Sequence, residues 1–574
     1  QLIVIRDPLT GQPFPGNSIP PDRINKSGQA LLNFFPLPNA QSSFAQTGTN
    51  YVMQESLHVP KLSNVARVDF RTDKDTIYWK GQTWLSDTEG YSTPGWPSGA
   101  TNRWGVLKTH YRYSDNGMTI NWTRVLNQRM VNEAFVGLRH SMEEFIPSDG
   151  ELNRILRSTL GYTAPQLYPD QNPLGIIPRV TSWGGVPNAA NINWVARLNS
   201  RGADLVGSFT DNFSFIQGTH SYKAGLYIEH LRNDEGYGGD WSGSFSFQND
   251  SNNPLNTGYA YANALLGIFR SYSETNSRNR TNARLTLVQW YGQDTWKVNR
   301  RLTLNYGLRM GFHTQWYQAD KRAAGFVLER WDPAKAPLLY GFACTTPIPP
   351  NGTCPSANRR AINPVTKQLL PLAFAGAIVP GTGDPYNGMV VEGDPNYPKG
   401  FKELDGVQWE PRAGFAWDLF GTGRTVFRAM GGIYHSPRVG GGSVGNLTPQ
   451  PPLQINQQIF YGYIDQLGDL LGSAVLFPDS VLGLERYAKT PSSYNFMIGI
   501  QQNVGFGTVL SVSYVSTLGR HLGERRNINQ VPDGARFLDL HPENRNPVTG
   551  SVYPDNFLRP YRGYGSIQID TYSG

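Results

Sequence analysis

Few residues in this chain have the types and spacing that catalysis needs. Glu143 and Glu144 are adjacent carboxylates that could act in acid–base chemistry, but neighbouring carboxylates at a strand end are usually only solvated. The glycine-rich run 440–445 lacks the lysine of a phosphate-binding loop and a clear strand-to-helix context, so we interpret it as a loop. The zinc motif His-Glu-x-x-His is absent. We therefore predict that the chain is not an enzyme and has no catalytic or cofactor-binding residues.

Three carboxylates and two cysteines have the remaining suggestive spacings. Asp234, Glu235 and Asp240 surround a glycine-rich turn, and oxygen ligands at this spacing could hold calcium. The alternative is that these carboxylates are solvated turn residues. We therefore predict no metal ligands and no cofactor, and Ca²⁺ bound in this loop stays open as an alternative. Cys344 and Cys354 have nine residues between them in a proline-rich stretch without a neighbouring histidine. We interpret them as a disulfide that closes a loop in an oxidising compartment, with two free thiols as the alternative.

The elements that must position these residues are β-hairpins. The alternation of apolar and polar side chains that is typical of such strands is clearest in the hairpin 285–312. In the returning strand, every even position is apolar: Leu302, Leu304, Tyr306, Leu308, Met310 and Phe312. The odd positions between them are polar or glycine: Thr303, Asn305, Gly307, Arg309 and Gly311. Successive side chains of a strand point to opposite faces, so one face of this hairpin is apolar. That face must meet either a second protein sheet or lipid.

Similar hairpins recur along the chain, and the connections between them differ greatly in length. Hairpins are predicted at 66–79, 118–142, 208–228, 413–434 and 494–514, with weaker strands near 242–249 and 267–275 on either side of a helical stretch at 259–266. The longest connections run over 143–204, 317–406 and 436–490, always after the second strand of a pair. This asymmetry is typical of an outer-membrane barrel, which has short periplasmic turns and long extracellular loops.

The amino-acid composition excludes a helical membrane protein and disfavours a nucleic-acid-binding protein. Hydrophobic residues make up 39% of the chain, and the longest apolar stretch, 369–379, contains Pro371 and is shorter than the roughly 18 residues of a membrane helix. Any membrane residence must therefore be as a barrel. The 51 basic and 44 acidic residues are scattered without long runs, so no nucleic-acid partner is expected.

Several segments resemble the TonB-dependent receptor superfamily of outer-membrane transporters, particularly its Oar-like group. The segments are Tyr291-Gly-Gln-Asp-Thr-Trp296, Arg301-Leu-Thr-Leu-Asn-Tyr-Gly-Leu-Arg309, Pro411-Arg-Ala-Gly-Phe-Ala-Trp-Asp418, Gly423-Arg-Thr-Val-Phe-Arg428 with Gly431-Gly-Ile-Tyr434, and Gly519-Arg-His-Leu522 with Asn527-Ile-Asn-Gln530. They occur in the family's order. The resemblance implies an all-β fold, an antiparallel transmembrane barrel of 22 strands, of which about 15 or 16 are visible in this sequence.

The resemblance also implies how the chain is organised and where it works. Residues 1–574 would be the barrel portion, because no plug, carboxypeptidase-regulatory-like domain, TonB box or final aromatic strand is visible and both ends read as cut from a longer chain. The implied location is the bacterial outer membrane. The implied function is uptake of a siderophore, oligosaccharide or peptide. The implied partners are outer-membrane lipid, a TonB-type energy-transducing complex that acts through the missing N-terminal region, and an extracellular small-molecule, glycan or peptide ligand.

Two groups of residues are the candidates for solute contact. The polar positions of the strands would line the lumen: Arg67, Asp69, Arg71, Asn305 and Arg309. Aromatic residues of the long loops would contact the ligand: Trp183, Trp194, Tyr237, Trp241 and Tyr461. Two other classes of function stay open. One is a structural or adhesive outer-membrane barrel, and the other is a secreted all-β carbohydrate-active enzyme, whose apolar strand faces would be buried against another sheet.

Overall fold

The computed structural model describes residues 3–40, 50–56, 58–91, 104–194, 197–236, 239–350, 352–437 and 441–572. Its α-helices are short: α1 (Lys26–Asn33), α2 (Glu151–Arg154), α3 (Arg157–Leu160), α4 (Ala260–Leu265), α5 (Gly441–Gly445) and α6 (Asp555–Leu558). In these ranges no helix is both long and apolar enough to cross a membrane. The glycine-rich run that we expected to be a loop therefore contains a helix, α5.

Strands make up most of the regular structure. In chain order they are β1 (Lys61–Arg71), β2 (Asp75–Gly90), β3 (Thr109–Asn127), β4 (Met130–Pro147), β5 (Arg179–Ser182), β6 (Ser200–Gln217), β7 (His220–Gly236), β8 (Ser244–Ser246), β9 (Ile268–Thr275), β10 (Arg280–Lys297), β11 (Leu302–His313), β12 (Tyr317–Gln318), β13 (Ala324–Phe326), β14 (Gly341–Cys344), β15 (Arg359–Ile362), β16 (Leu369–Leu370), β17 (Met389–Val391), β18 (Gln408–Asp418), β19 (Thr425–His435), β20 (Asn456–Tyr463), β21 (Asp479–Leu484), β22 (Ser492–Gly505), β23 (Thr508–Arg520), β24 (Glu524–Asn527) and β25 (Tyr564–Thr571).

One antiparallel sheet contains all of the long strands. Its order is β1-β2-β3-β4-β6-β7-β10-β11-β18-β19-β22-β23, and the short β12 pairs with β10. Each strand between β2 and β22 in this order pairs with a long strand on both sides, so its backbone groups are hydrogen-bonded within the sheet, as a membrane requires. This confirms the predicted antiparallel barrel wall. The described part of the chain places 13 strands in this sheet, fewer than the 15 or 16 predicted, because the weaker strands near 242–249 and 267–275 lie elsewhere.

The predicted apolar face is continuous across the sheet and is not covered. Met310 of β11 lies opposite Trp290 of β10 on one side and Trp409 of β18 on the other. Trp409 and Ile498 are 57% and 45% exposed. This exposure contradicts the alternative of a secreted all-β enzyme, which requires the face to pack against another sheet. An exposed apolar face on a paired sheet is what lipid contact requires.

A polar cluster lies on the same face, close to the short turns. The Nδ1 atom of His220 is 2.7 Å from Oδ2 of Asp294, and Tyr306 donates a hydrogen bond of 2.8 Å to that oxygen. The His220 ring stacks on Tyr222 and Trp296, with centroid distances of 5.4 and 5.2 Å. Rings with one apolar body and one polar tip favour the level of the lipid headgroups, so this cluster marks one edge of the apolar band.

Connections alternate between very short and very long, as predicted. The short ones are 72–74, 128–129, 218–219, 298–301, 419–424 and 506–507, and the long ones are 91–108, 148–199, 237–279, 314–407 and 436–491. All of the short turns therefore lie at one end of the sheet. We call the segment before β1, the five long connections and the segment after β23 the loop layer.

The loop layer is packed and has small sheets of its own. These are the order β5-β8-β9-β20, the pair β13-β17, the order β14-β15-β16 and the order β21-β25-β24. The predicted helix at 259–266 and the two weaker strands are found here as α4, β8 and β9. In this layer α1 packs so closely on α4 that a Cβ at Gly28 would lie 1.8 Å from the carbonyl oxygen of Ala264, so only glycine fits there.

Candidate functional site

The face opposite the apolar one is a polar wall with arginines held over tyrosine rings. The guanidinium of Arg309 lies 5.1 Å from the Tyr291 ring centroid, and Arg309 donates from Nη1 to Gln289 Oε1 at 3.0 Å. On the next hairpin, Arg412 lies 4.4 Å from the Tyr434 centroid and donates to Glu410 Oε2 at 2.9 Å. Stacking and hydrogen bonding fix these cations in place, so the wall presents ordered positive groups.

These side chains border a cavity of about 440 Å³ along β10, β11, β18 and β19. Arg309 and Asn305 line it, and Thr295 donates a hydrogen bond of 2.7 Å to Asn305 Oδ1. Arg412 and Arg428 line it from the opposite side. Since cationic and amide groups converge on one concave surface, the cavity suits polar or anionic groups of a solute or of another protein segment.

The five predicted lumen residues all lie on this polar face but form two separate groups. Asn305 and Arg309 belong to the cavity on β11, the eighth strand in sheet order. Arg67, Asp69 and Arg71 lie on β1, the first strand, where Arg67 makes two hydrogen bonds of 2.9 and 2.7 Å to the Asp69 carboxylate. The structure therefore does not bring the two groups together.

Sequence reasoning missed several residues of the wall. Arg412, Arg428, Tyr291 and Tyr434 belong to the motifs quoted above, but they were not among the residues predicted to line the lumen. The alternation around Arg412, between Pro411 and Ala413, is the signal that would have placed it on the polar side.

The loop tryptophans predicted to contact ligand are buried instead. Trp183, Trp194 and Trp241 are 3%, 2% and 2% exposed. Trp183 stacks on Phe247 at 5.3 Å, and the Arg278 guanidinium covers the Trp241 ring at 4.2 Å. The expectation of surface rings is wrong for these three residues, because the long loops pack against one another and use the rings as core.

The other two aromatic candidates have different positions. Tyr461 is half-buried in β20 and donates a hydrogen bond of 2.8 Å to Asp250 Oδ2, which occupies its hydroxyl group. Tyr237 lies outside the described residues. The ligand contact of Tyr237 therefore stays a prediction, and the hydroxyl hydrogen of Tyr461 is already used within the protein.

The carboxylates with suggestive spacing are paired with arginines. Asp234 pairs with Arg284 at 2.8 Å, Glu235 with Arg197 at 2.8 Å, and Asp240 with Arg179. The three carboxylates thus face three different guanidinium groups. Within the described ranges, no three His, Cys, Asp or Glu side chains are grouped so that they could hold a metal ion.

The adjacent glutamates and the two cysteines are also accounted for. Glu143 pairs with Arg197 and Glu144 with Arg201, so both carboxylates serve as ion-pair partners. The structure contains the disulfide between Cys344 and Cys354. It ties the end of β14 to residue 354 within the connection 314–407.

Glu392 in the connection 314–407 is a buried carboxylate held mainly by backbone groups. Its Oε2 accepts from the Gln318 amide at 3.0 Å, and its Oε1 accepts from the Gly400 amide at 3.1 Å. Burial raises the pKa of Glu392 to about 7 from its ordinary value of 4.5. Gly400 has φ +67°, and a Cβ there would lie 1.9 Å from the Trp316 carbonyl oxygen, so only glycine can form this turn. The Glu392 carboxylate therefore binds the backbone of a turn that requires glycine.

We expect the connection 314–407 to lose stability as the pH rises from about 4.5 to 7. The folded state keeps the Glu392 proton in this range while the unfolded chain releases it, so the stabilisation is complete below pH 4.5 and is lost through pH 7. Hydrogen exchange of this connection measured between pH 4 and 8 tests the expectation. Glu392→Gln should flatten the pH profile, and Glu329→Gln, which alters an exposed carboxylate of the same connection, should leave it unchanged.

Comparison with known proteins gives one family match over the whole chain. A family model described as an outer membrane beta barrel domain matches residues 1–574. A search of curated proteins finds no match.

Solved structures similar to the chain include two transporters and one uptake receptor. The outer membrane transporter YddB from Escherichia coli is 10% identical, with a TM-score of 0.41, and the match covers 82% of this chain and 41% of that chain. The FrpB iron transporter from Neisseria meningitidis is 10% identical, with a TM-score of 0.37, and the match covers 81% of this chain and 46% of that chain. The ferric yersiniabactin uptake receptor FyuA from Yersinia pestis is 8% identical, with a TM-score of 0.34, and the match covers 80% of this chain and 46% of that chain. This chain spans less than half of the length of each of these structures.

Proposed function

Because the chain belongs to the outer membrane beta-barrel domain family, and so to the bacterial outer membrane, we propose that it forms the wall of a TonB-dependent receptor that takes up a solute. The observation that carries this proposal is the opposite chemistry of the two faces of one sheet. One face is a continuous apolar surface suited to lipid, and the other presents ordered arginines beside a cavity of about 440 Å³. A wall of this kind separates lipid from a polar passage.

In the proposed mechanism the loop layer captures the solute and the polar wall receives it. Arg309 and Arg412 are fixed over tyrosine rings, so they offer guanidinium hydrogen-bond donors without first losing side-chain freedom, with the charge of Arg412 balanced by Glu410. The motifs in β10, β11, β18 and β19 resemble strands of TonB-dependent receptors, and energised transport is what that resemblance implies. The proposed partner is a TonB-type complex, and the proposed solute is a siderophore, an oligosaccharide or a peptide.

A structural or adhesive barrel is the second candidate, and the packed loop layer favours it. A surface layer with its own sheets and a disulfide is suited to contacts with other cells or surfaces as well as to capture. In that case, deletion of the 317–406 connection should abolish surface attachment of the cells, whereas loss of TonB should leave attachment unchanged.

Depletion of medium components by cells separates the two candidates. Four strains are compared that carry or lack the full-length gene and carry or lack TonB, and the solutes that disappear from the medium are measured by mass spectrometry. A solute that is consumed only when both are present supports the transporter. Equal consumption by all four strains, together with surface attachment that needs the gene but not TonB, would favour the adhesive barrel.

A further inference from the structure

A second cavity, of about 550 Å³, lies inside the loop layer. Its walls come from the segment before β1 and from three of the long connections. Phe35 and Tyr51 contribute from the first, Trp104 from 91–108, Asn188 from 148–199 and Tyr261 from 237–279. None of the lining residues in the described part of the chain is charged. The cavity therefore selects ligands by shape, ring stacking and hydrogen bonds between neutral groups.

The aromatic walls of the cavity are fixed by the core behind them. Phe35 stacks on Trp104 at 5.1 Å, and both Phe35 and Tyr261 meet the buried Trp183 edge to face, at 5.8 and 5.0 Å. The indole Nε1 of Trp104 donates to the Asn191 carbonyl at 2.7 Å. Rings that are locked in this way lose little entropy when a ligand stacks on them.

Neutral hydrogen-bonding groups accompany the rings. Within the described ranges, the side-chain polar atoms of Asn50, Tyr51 and Tyr261 have no hydrogen-bond partner. Burial raises the pKa of Tyr261, so its hydroxyl group keeps its proton at neutral pH and can both donate and accept. Phenol and amide groups thus face the cavity beside flat apolar rings.

We propose that this cavity binds an uncharged sugar ring of an extracellular glycan. The proposal rests on the proposed function and names the class of solute. A sugar offers an apolar face of C–H groups for the rings of Phe35 and Trp104, and hydroxyl groups that both donate and accept for Asn50, Tyr51 and Tyr261. An anionic iron chelate would find no counter-charge among the described lining residues, and an extended peptide would need paired backbone donors and acceptors at strand spacing.

Binding of neutral oligosaccharides to the purified full-length protein in detergent tests this proposal. The probes are uncharged hexose oligomers of several linkages, with a uronic-acid oligomer and a proline-rich peptide for comparison, and titration calorimetry gives the affinities. We expect at least one neutral oligomer to bind. Tyr261→Phe keeps the ring and removes the hydroxyl group, so it should weaken binding about 3- to 10-fold, the usual effect of one neutral hydrogen bond.

Two further variants make the test specific. Asn50→Ala should weaken binding to a similar degree, whereas Tyr487→Phe, which removes an exposed hydroxyl group elsewhere in the loop layer, should leave it unchanged. The proposal is overturned if no neutral oligomer binds, if the uronic-acid oligomer or the peptide binds instead, or if Tyr261→Phe and Asn50→Ala bind as well as the unaltered protein. Glycan binding without TonB-dependent uptake would refute the proposed function alone, and TonB-dependent uptake of another solute without glycan binding would refute this inference alone.

Discussion

The Trp183→Ala variant is expected to lose about 3–5 kcal/mol of the local free energy of unfolding of the loop layer. Trp183 is almost fully buried, and its ring touches those of Phe35, Phe247 and Tyr261. Removal of the indole leaves a cavity that three neighbouring rings cannot fill without leaving their own contacts. Hydrogen exchange of 148–199 and 237–279 should accelerate strongly, and trypsin should cut these connections sooner.

The matched control is Tyr487→Ala, because Tyr487 is a large aromatic residue of the same layer but is 70% exposed. It should change hydrogen exchange by less than about 0.5 kcal/mol. Exchange in β10 and β11 should be equal in both variants, since the ladder of the main sheet does not depend on Trp183. Equal losses for Trp183→Ala and Tyr487→Ala would show that the loop layer has no cooperative core.

The Ile498→Arg variant is expected to destabilise the barrel in the membrane by about 2–4 kcal/mol, the cost of a cation at the lipid face near the bilayer midplane. Ile498 lies in the middle of β22, opposite Ala429 on one side and Tyr514 on the other, within the apolar face. An arginine there would have to leave water for hydrocarbon. The yield of the variant in outer-membrane fractions and its urea midpoint in lipid vesicles should both fall.

Met497→Arg is the control, because Met497 is the adjacent residue of the same strand and points to the opposite face, into the wall cavity. An arginine on that side lies on the polar face, in the cavity that Arg412 and Arg428 also line, so the urea midpoint should change little. If Met497→Arg lowers the yield as much as Ile498→Arg does, the assignment of the two faces is wrong.

The main sheet could be predicted from the sequence because its signals are local. Alternation with period two in 302–312 fixes which side chains share a face, and the turn 299–301 fixes the partner of that strand. The same signal repeats in every hairpin, so the order of the sheet follows from the order of the chain. The strand count failed for a related reason: β9 has strand composition, but nothing nearby in sequence shows that its partner is β20 rather than a strand of the main sheet.

The packing of the loop layer could not be predicted because its contacts are distant in sequence. Trp183 is buried by residues from the segment before β1 and from the connection 237–279, and β21 pairs in parallel with β25. The arginine partners of Asp234 and Glu235 likewise come from other strands and connections. Composition shows that such loops contain many aromatic rings, but not whether those rings face solvent or one another.

The unequal lengths of the long strands give the wall an uneven rim. β3 and β10 have 19 and 18 residues, whereas β18 and β19 have 11 each, and the short turns align all of them at one end. At about 3.3 Å per residue, the difference of about seven residues raises one flank by roughly 20 Å along the strands. After the shorter β11, the longest connection begins with β12, which pairs with the upper part of β10. The low flank is thus the side of the sheet from which the longest connection, 314–407, leaves.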